Sequence, residues 1–352
     1  MSLEKISAEE ALTTLGNFSD VIDARSEGEF AEDHLPGAIN WPSLHDDERK
    51  IVGTQYKQIN AFEAKKLGAA LVAKNIAAHI ERDVIAKPRE WQPLVYCWRG
   101  GKRSGSLALI LDQIGFKVTL VEGGYKAFRA ALVNDIPQLA ARYNYRVICG
   151  TTGSGKTRLL QALKAQGAQV LDLEALANHR SSVLGVMPGK PQPTQKAYDS
   201  LIWAALQGFD TALPVYIESE SKKVGNVAIP EGLIAAMRAA PCLQIELSED
   251  ARVALLLEDY DFFVKDIEFF CERLDALTQA RGKDVVADWQ ARSRSGDVAS
   301  VVRELLVKHY DPVYIQSMKR NFDLYGAALT LRPAGHSEEA MQALAQAMVS
   351  AP

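Results

Sequence analysis

Short apolar runs ending in polar or glycine-rich turns recur along the chain, with longer amphipathic stretches between them. Val21-Ile22-Asp23, Leu94-Val95-Tyr96-Cys97 and Val118-Thr119-Leu120-Val121 read as strands, and patterns such as Ser104 to Ile114 read as the helices between them. A second set follows. Tyr145 to Cys149, Gln169 to Leu173, Val215 to Ile217 and Leu243 to Leu247 read as strands and Arg158 to Gln166 as a helix, and after Leu247 the chain is mainly helical to Tyr325. Strands alternating with helices predict parallel sheets whose ligands lie at the carboxyl ends of the strands. Pro137 and the polar run from Arg142 mark a junction. The expected organisation is an α/β domain over 1–135, a linker over 136–144, a second α/β domain with a helical C-terminal part over 145–330, and a tail over 331–352. The Pro- and Gly-rich stretch from Ser181 to Pro193 is irregular; it reads either as a cover over a ligand or as a surface excursion.

Composition narrows the class. A chain of 352 residues, 47% hydrophobic and 24% charged, is long enough to bury two cores without disulfides or structural metal. Cys97, Cys149, Cys242 and Cys271 are scattered, with no CxxC pair, so neither a zinc knuckle nor a secreted disulfide scaffold is expected, and a reducing cytoplasm is. No basic-then-apolar leader opens the chain, and no apolar run approaches the roughly 18 residues that span a bilayer. With 40 basic against 44 acidic side chains the net charge is −4. A broad basic surface is excluded, and any RNA must be held by local patches.

Two loops carry the chemistry. Cys97-Trp98-Arg99-Gly100-Gly101-Lys102-Arg103-Ser104 follows a strand and precedes a helix, so backbone N–H groups should converge above the cysteine and cradle an anion. Arg99, Lys102 and Arg103 add positive charge that favours a nucleophilic thiolate. Transfer of a sulfur-like atom, or attack on phosphate, suits that arrangement. The other three cysteines sit in apolar patterns and read as packing. Around this loop the first domain resembles the rhodanese-like domains, on Asp23-Ala24-Arg25, Glu29-Phe30, His34, Pro36-Gly37-Ala38, Asn40, Pro42 and the later turn Glu122-Gly123-Gly124-Tyr125. The C-x5-R spacing from Cys97 to Arg103 is one residue longer than in single-domain rhodaneses and resembles Cdc25-type phosphatases; the wider cradle would admit a donor carrying phosphate as well as a chalcogen.

Gly150-Thr151-Thr152-Gly153-Ser154-Gly155-Lys156-Thr157 fits the phosphate-loop pattern G-x4-G-K-[ST] between a strand and a helix. Gly150, Gly153, Ser154 and Gly155 shape the backbone cradle, Lys156 reaches the outer phosphate and Thr157 can hold Mg²⁺. The acidic partner is open among Asp172, Glu218 and Glu220. With no arginine finger or water-orienting residue assignable, nucleotide hydrolysis does not follow, and any diphosphate would satisfy the loop.

A rhodanese-like domain fused to a phosphate-loop domain resembles the tRNA 2-selenouridine synthase family. So do Leu173-Glu174-Ala175-Leu176-Ala177-Asn178-His179-Arg180, Glu218-Ser219-Glu220-Ser221-Lys222-Lys223-Val224-Gly225 and His309-Tyr310-Asp311-Pro312-Val313-Tyr314. The resemblance implies a selenotransferase that exchanges sulfur for selenium in wobble 2-thiouridine of tRNA through an S-geranyl intermediate. It implies geranyl diphosphate on the phosphate loop and selenophosphate from a selenophosphate synthetase at Cys97; no tightly bound cofactor, resident metal or membrane partner is expected, with Mg²⁺ possible at the phosphate loop. Arg142, Tyr143, Tyr145 and Arg146 interleave cations and aromatics suited to RNA at the domain junction; Lys222-Lys223 and Lys319-Arg320 are further candidates, each of which also reads as a solvated face. Val183, Leu184, Val186 and Met187 are available to line a tunnel for the geranyl chain or to pack a core. The alternatives are a rhodanese-type sulfurtransferase, a Cdc25-like phosphatase with a nucleotide-binding regulatory domain, and a non-catalytic sulfur-carrier or tRNA-binding module.

Overall fold

The computed structural model describes residues 3–180, 185 and 189–350. The chain divides into two compact units, Met1–Ile136 with Thr194–Ala204, and Pro137–Pro193 with Ala205–Pro352. The four residues expected to line a geranyl tunnel, Val183, Leu184, Val186 and Met187, lie outside the described residues.

The first unit is built on β1 (Glu4–Ile6), β2 (Asp20–Asp23), β3 (Ala38–Asn40), β4 (Pro93–Tyr96) and β5 (Thr119–Val121), ordered β1-β5-β4-β2-β3. Every pair is parallel. β4 is buried along its whole length, which is why its sequence is an unbroken apolar run. Ile22, Val95, Trp41, Trp91, Leu107 and Leu111 form the core beside it. At the end of β2, Asp23 and Arg25 form a wholly buried ion pair of 2.6 Å. Tyr96 Oη donates to Asp23 (2.8 Å), Arg25 donates to the Asp33 carbonyl (2.6 Å), and the guanidinium lies 3.9 Å from the centre of the Tyr125 ring. The Asp-Ala-Arg signature is therefore a structural bolt beneath the cysteine loop. The helices Asp46–Gln58 and Ala61–His79 form a hairpin that hydrophobic patterning does not announce, because Tyr56, Ile59 and Phe62 are exposed at its far end and it meets the core nearer its base, at Val72 and Ile76.

The expected linker over 136–144 is instead mostly helix, since Gly124–Ala140 runs through Pro137. A proline inside a helix removes one backbone hydrogen bond; here Ile136, Leu139 and Ala140 are buried on either side and hold the geometry. Residues Thr194–Ala204 return to the first unit from far along the chain. Ser200 Oγ (3.1 Å) and Tyr125 Oη (2.7 Å) both donate to Asp33, Trp203 Nε1 donates to Asp135 (2.8 Å), and Arg129 pairs with Asp199.

The second unit contains β6 (Tyr145–Cys149), β7 (Gln169–Leu171), β8 (Val215–Glu218), β11 (Cys242–Ile245) and β12 (Leu329–Leu331), all parallel in the order β12-β11-β6-β8-β7, and a small antiparallel hairpin of β9 (Lys223–Val224) and β10 (Val227–Ala228). The stretch read as a tail from 331 closes the core. Leu331 of β12 and Met341 and Ala345 of the Glu338–Ser350 helix pack with Leu159, Leu160 and Leu163 of the Lys156–Ala165 helix. Three residues of β12 are too short a run to be legible; pairing with β11 defines them. A separate apolar cluster, with Phe263, Phe270, Trp289, Val301 and Leu305, organises the helices after β11. Among the described residues no helix is long and apolar enough to cross a membrane.

Candidate active site

β4 delivers Cys97 to the carboxyl end of a central parallel strand, where the chain turns before the Lys102–Ile114 helix. The sulfur is buried and receives Ser104 Oγ–H at 3.0 Å and the Gly101 N–H at 3.3 Å. Two donors thus converge on one sulfur. The later glycine turn supports the loop from below, with Tyr125 N donating to Cys97 O (2.8 Å) and Lys126 N to Trp98 O (3.0 Å). At Gly124, φ is +58°, and a Cβ would stand 2.2 Å from Cys97 O and 2.5 Å from Gly100 N, so no side chain fits. Trp98 stacks on Tyr125. Lys196, from the returning segment, lies 5.8 Å from the centre of the Trp98 ring and bonds Glu32 (2.7 Å).

Arg103 departs from its expected place as a cation around the bound anion. Its guanidinium grips Glu29 through two hydrogen bonds, of 2.6 and 3.3 Å. Burial opposes ionisation of Glu29, yet the Arg103 hydrogen bond and charge hold its carboxyl below the usual range. Arg99 and Lys102 are exposed beside the loop, and Arg103 acts through Glu29 to brace it.

In the second unit β6 is the middle strand, and the phosphate loop leaves its carboxyl end. Gly153 and Gly155 adopt φ of +77° and +91°, left-handed conformations that turn successive N–H groups inward. The loop is held from outside. Arg252 donates to the Thr152 carbonyl at 2.9 and 2.7 Å and is itself anchored on Asp311, while Gly150 N donates to Tyr314 Oη at 2.7 Å. Lys156 Nζ donates to Gly150 O (2.7 Å) and lies 5.4 Å from the centre of the Tyr314 ring. A cavity of about 320 Å³ opens over the loop, lined by Lys156, Thr157, Glu174, Arg180, Glu220 and Tyr314 among others.

The acidic partner is a cluster. Carboxylate oxygens of Glu174, Glu218 and Glu220 lie within 4.8 Å of one another, and Thr157 Oγ1 donates to Glu174 at 3.4 Å. Glu218 Oε1 accepts the Glu174 N–H (2.8 Å), whereas its buried Oε2 has no hydrogen-bond partner among the described residues. Burial, then the charges of Glu174, Glu220 and Asp172, push the Glu218 carboxyl well above the ordinary range. Three carboxylates converging beside the Thr157 hydroxyl offer oxygen donors that fit a hard divalent ion such as Mg²⁺. Asp172, the other acid considered, accepts the Ala175 N–H and caps the Leu173–Ala177 helix.

Comparison with known proteins gives the same two parts. Residues 7–131 match the rhodanese-like domain, and residues 143–279 match the tRNA 2-selenouridine synthase AAA domain. The tRNA 2-selenouridine synthase of Shewanella halifaxensis (strain HAW-EB4) is 31% identical, covering 92% of this chain and 95% of its own. That of Alcanivorax borkumensis is 32% identical, over 86% and 91%. The chain belongs to the tRNA 2-selenouridine synthase family. It is an enzyme of the transferase type, and the α/β fold with a rhodanese-like first unit expected from the sequence is the one observed.

Within this synthase family member the predicted residues divide sharply. Cys97, Gly101 and Ser104 meet at one sulfur; Lys156, Thr157, Glu218 and Glu220 meet around the phosphate loop. Tyr143 and Tyr145, expected to stack on RNA bases, are buried instead. Tyr143 Oη donates to Leu206 O, and the two rings meet edge to face at 6.5 Å, so they belong to the core. Arg142, Lys222 and Lys223 are exposed, and Arg146 is half-buried. Glu174, Tyr314, Arg252 and Lys196 were not singled out by sequence reasoning. The first two lie in segments that carried the family resemblance; nothing local marks the others.

Proposed function

We propose that the chain replaces sulfur by selenium in wobble 2-thiouridine of tRNA in two steps, one at each loop. The observation that carries this reading is the pairing, on one chain, of a donor-supported cysteine sulfur with a phosphate cradle. In the first step the thiouridine sulfur attacks the allylic carbon of geranyl diphosphate. The C–S bond forms as the C–O bond breaks, the N3 proton of the base passes to solvent, and the electron pair leaves with pyrophosphate, whose charge Lys156 and the loop N–H groups hold. In the second, selenophosphate is held at the Cys97 loop, and its selenium, already at the selenide level, adds at C2 of the modified base. The C2–S bond then breaks, geranyl thiol leaves with a proton, and water takes the phosphoryl group as phosphate. Arg99 and Lys102 supply charge for the selenophosphate. Thr157, Glu174, Glu218 and Glu220 would hold Mg²⁺, which when bound supplies charge neutralisation to a diphosphate. Nucleoside mass spectrometry after incubation with thiolated tRNA, geranyl diphosphate and selenophosphate tests the reading; 2-selenouridine is the expected product, and its absence with all three substrates refutes it.

The metal assignment has its own test. Millimolar Mg²⁺ is expected to raise the melting temperature of the protein, and Glu218→Gln to remove that response by taking one charged ligand from the cluster. An equal Mg²⁺ response in both proteins would place the ion elsewhere.

For RNA, the far end of the Asp46–Gln58 and Ala61–His79 hairpin supports contact better than the buried tyrosines. Tyr56 and Phe62 are 54% and 66% exposed there, and Lys50, Lys57 and Lys65 form no ion pair among the described residues. Exposed rings among cations suit stacked bases and phosphates. Replacing the three lysines by glutamine is expected to weaken tRNA binding and reduce the slope of log affinity against log salt by about 2–3, at about 0.7–0.9 per phosphate contact. Filter binding across a salt series measures it; an unchanged slope would remove the hairpin from the RNA surface.

A further inference from the structure

Beside the phosphate-loop cavity lies a second, smaller one of about 60 Å³. Its wall comes from the helices after β11, with Leu257, Phe263, Phe270, Val298, Val302 and Leu305 as its apolar surface. Thr152, Leu256, Tyr260 and Tyr310 line both cavities, so the apolar space adjoins the phosphate loop itself. Arg180 fixes part of this shared wall, with its guanidinium 4.4 Å from the centre of the Tyr260 ring and a hydrogen bond to Asp259 O (2.8 Å). Among the described residues no charged side chain lines the smaller cavity. A nucleoside placed there would leave its base edges and ribose hydroxyls without partners, a cost of about 1–3 kcal/mol for each lost hydrogen bond. A hydrocarbon would gain from the same surroundings.

We propose that this cavity receives the hydrocarbon end of a diphosphate whose head lies on the phosphate loop, and that it sets the chain length the enzyme accepts. The inference rests on the reading that the loop holds a prenyl diphosphate and goes beyond it by assigning the tail a site. At about 10–15 Å³ per water-sized group, the cavity holds about four to six such groups. That matches one five-carbon isoprene unit. The outer isoprene of a geranyl chain fills it, the inner one crosses the shared wall, and the reactive carbon stays near Lys156. A third isoprene would extend beyond the lined apolar space.

Val302 is the residue to vary, because it lines the smaller cavity and not the one over the phosphate loop. The transfer of dimethylallyl, geranyl and farnesyl groups from their diphosphates to a thiolated RNA stem-loop is measured for the wild-type protein, Val302→Phe and Val302→Ala, with inorganic pyrophosphate affinity measured alongside. Val302→Phe is expected to lower geranyl transfer relative to dimethylallyl transfer by about tenfold or more, because the larger ring occupies the space in which the outer isoprene would be buried. Val302→Ala is expected to raise farnesyl relative to geranyl transfer, and pyrophosphate affinity is expected to stay within about twofold in both. Unchanged ratios in both variants overturn the assignment of the cavity. So does a parallel loss of pyrophosphate binding, which would mean that Val302 acts on the loop. If the wild-type protein transfers no prenyl group at all, the reading of the loop fails first, and the tail site falls with it.

Discussion

Given tRNA that already carries S-geranyl-2-thiouridine, a Lys156→Ala enzyme is expected to form 2-selenouridine at close to the wild-type rate, although its own geranylation falls by about 10²–10³-fold. The loss follows from removing a cation aimed at the departing pyrophosphate, an effect of the size seen when one preorganised charge-stabilising group is deleted. Cys97→Ala is expected to show the opposite pattern, with geranyl transfer intact and selenation at background. Ser104 Oγ and the Gly101 N–H would then point at an empty position, since the sulfur they serve is gone. Liquid chromatography of nucleosides from the two variants, each given both substrates in turn, separates the steps. Loss of both activities in both variants would defeat the division of labour between the loops. Ser104→Ala refines the test: it keeps the sulfur and removes its shorter hydrogen bond, so selenation should slow while geranylation does not.

The second large effect concerns stability. Asp23→Ala is expected to destabilise the first unit by about 3–5 kcal/mol, because it strands a buried guanidinium. Arg25 is 1% exposed, and both its Nε and one terminal nitrogen donate to the Asp23 carboxylate. Burial alone would lower the guanidinium pKa, and Asp23 more than offsets this. Urea denaturation followed at unit-specific tryptophans measures the change. The double replacement Asp23→Leu, Arg25→Met should recover much of the loss, since the desolvation cost of both charges disappears with them. A single-variant change under about 1 kcal/mol would show that the pair is hydrated.

How much could be read from the chain differs between the two sites for a physical reason. The cysteine loop and phosphate loop are local devices: each is a strand, a glycine-bearing turn and a helix start within a dozen residues, and the conformations they need restrict which residues can occupy them. Gly153 and Gly155, in left-handed conformations, are legible as a motif because only a few residue types fit. Charge partners are less legible. Arg103 sits where a phosphate ligand would, but Glu29, 74 positions away, takes its guanidinium. Tyr143 and Tyr145 alternate with Asn144 in a pattern that suits either a binding ridge or the start of a strand, and only the packing of Leu206 and Phe209 against Tyr143 turns them inward.

The sequence by itself determined that there are two α/β units, that one presents a cysteine and the other a phosphate cradle, and which strand carries each, because strand periodicity and turn chemistry act over a few residues. The tertiary structure decided the rest. Glu174 and Glu218 are 44 residues apart, and Gly150 and Tyr314 164 apart, yet each pair is joined by a hydrogen bond. The parallel order of β6, β8 and β7 brings Gly150, Glu218 and Glu174 to the carboxyl end of the sheet, and no local rule encodes that order. The apolar cavity is the same case: its lining comes from separate helical stretches and the phosphate loop, so it exists only once those helices pack.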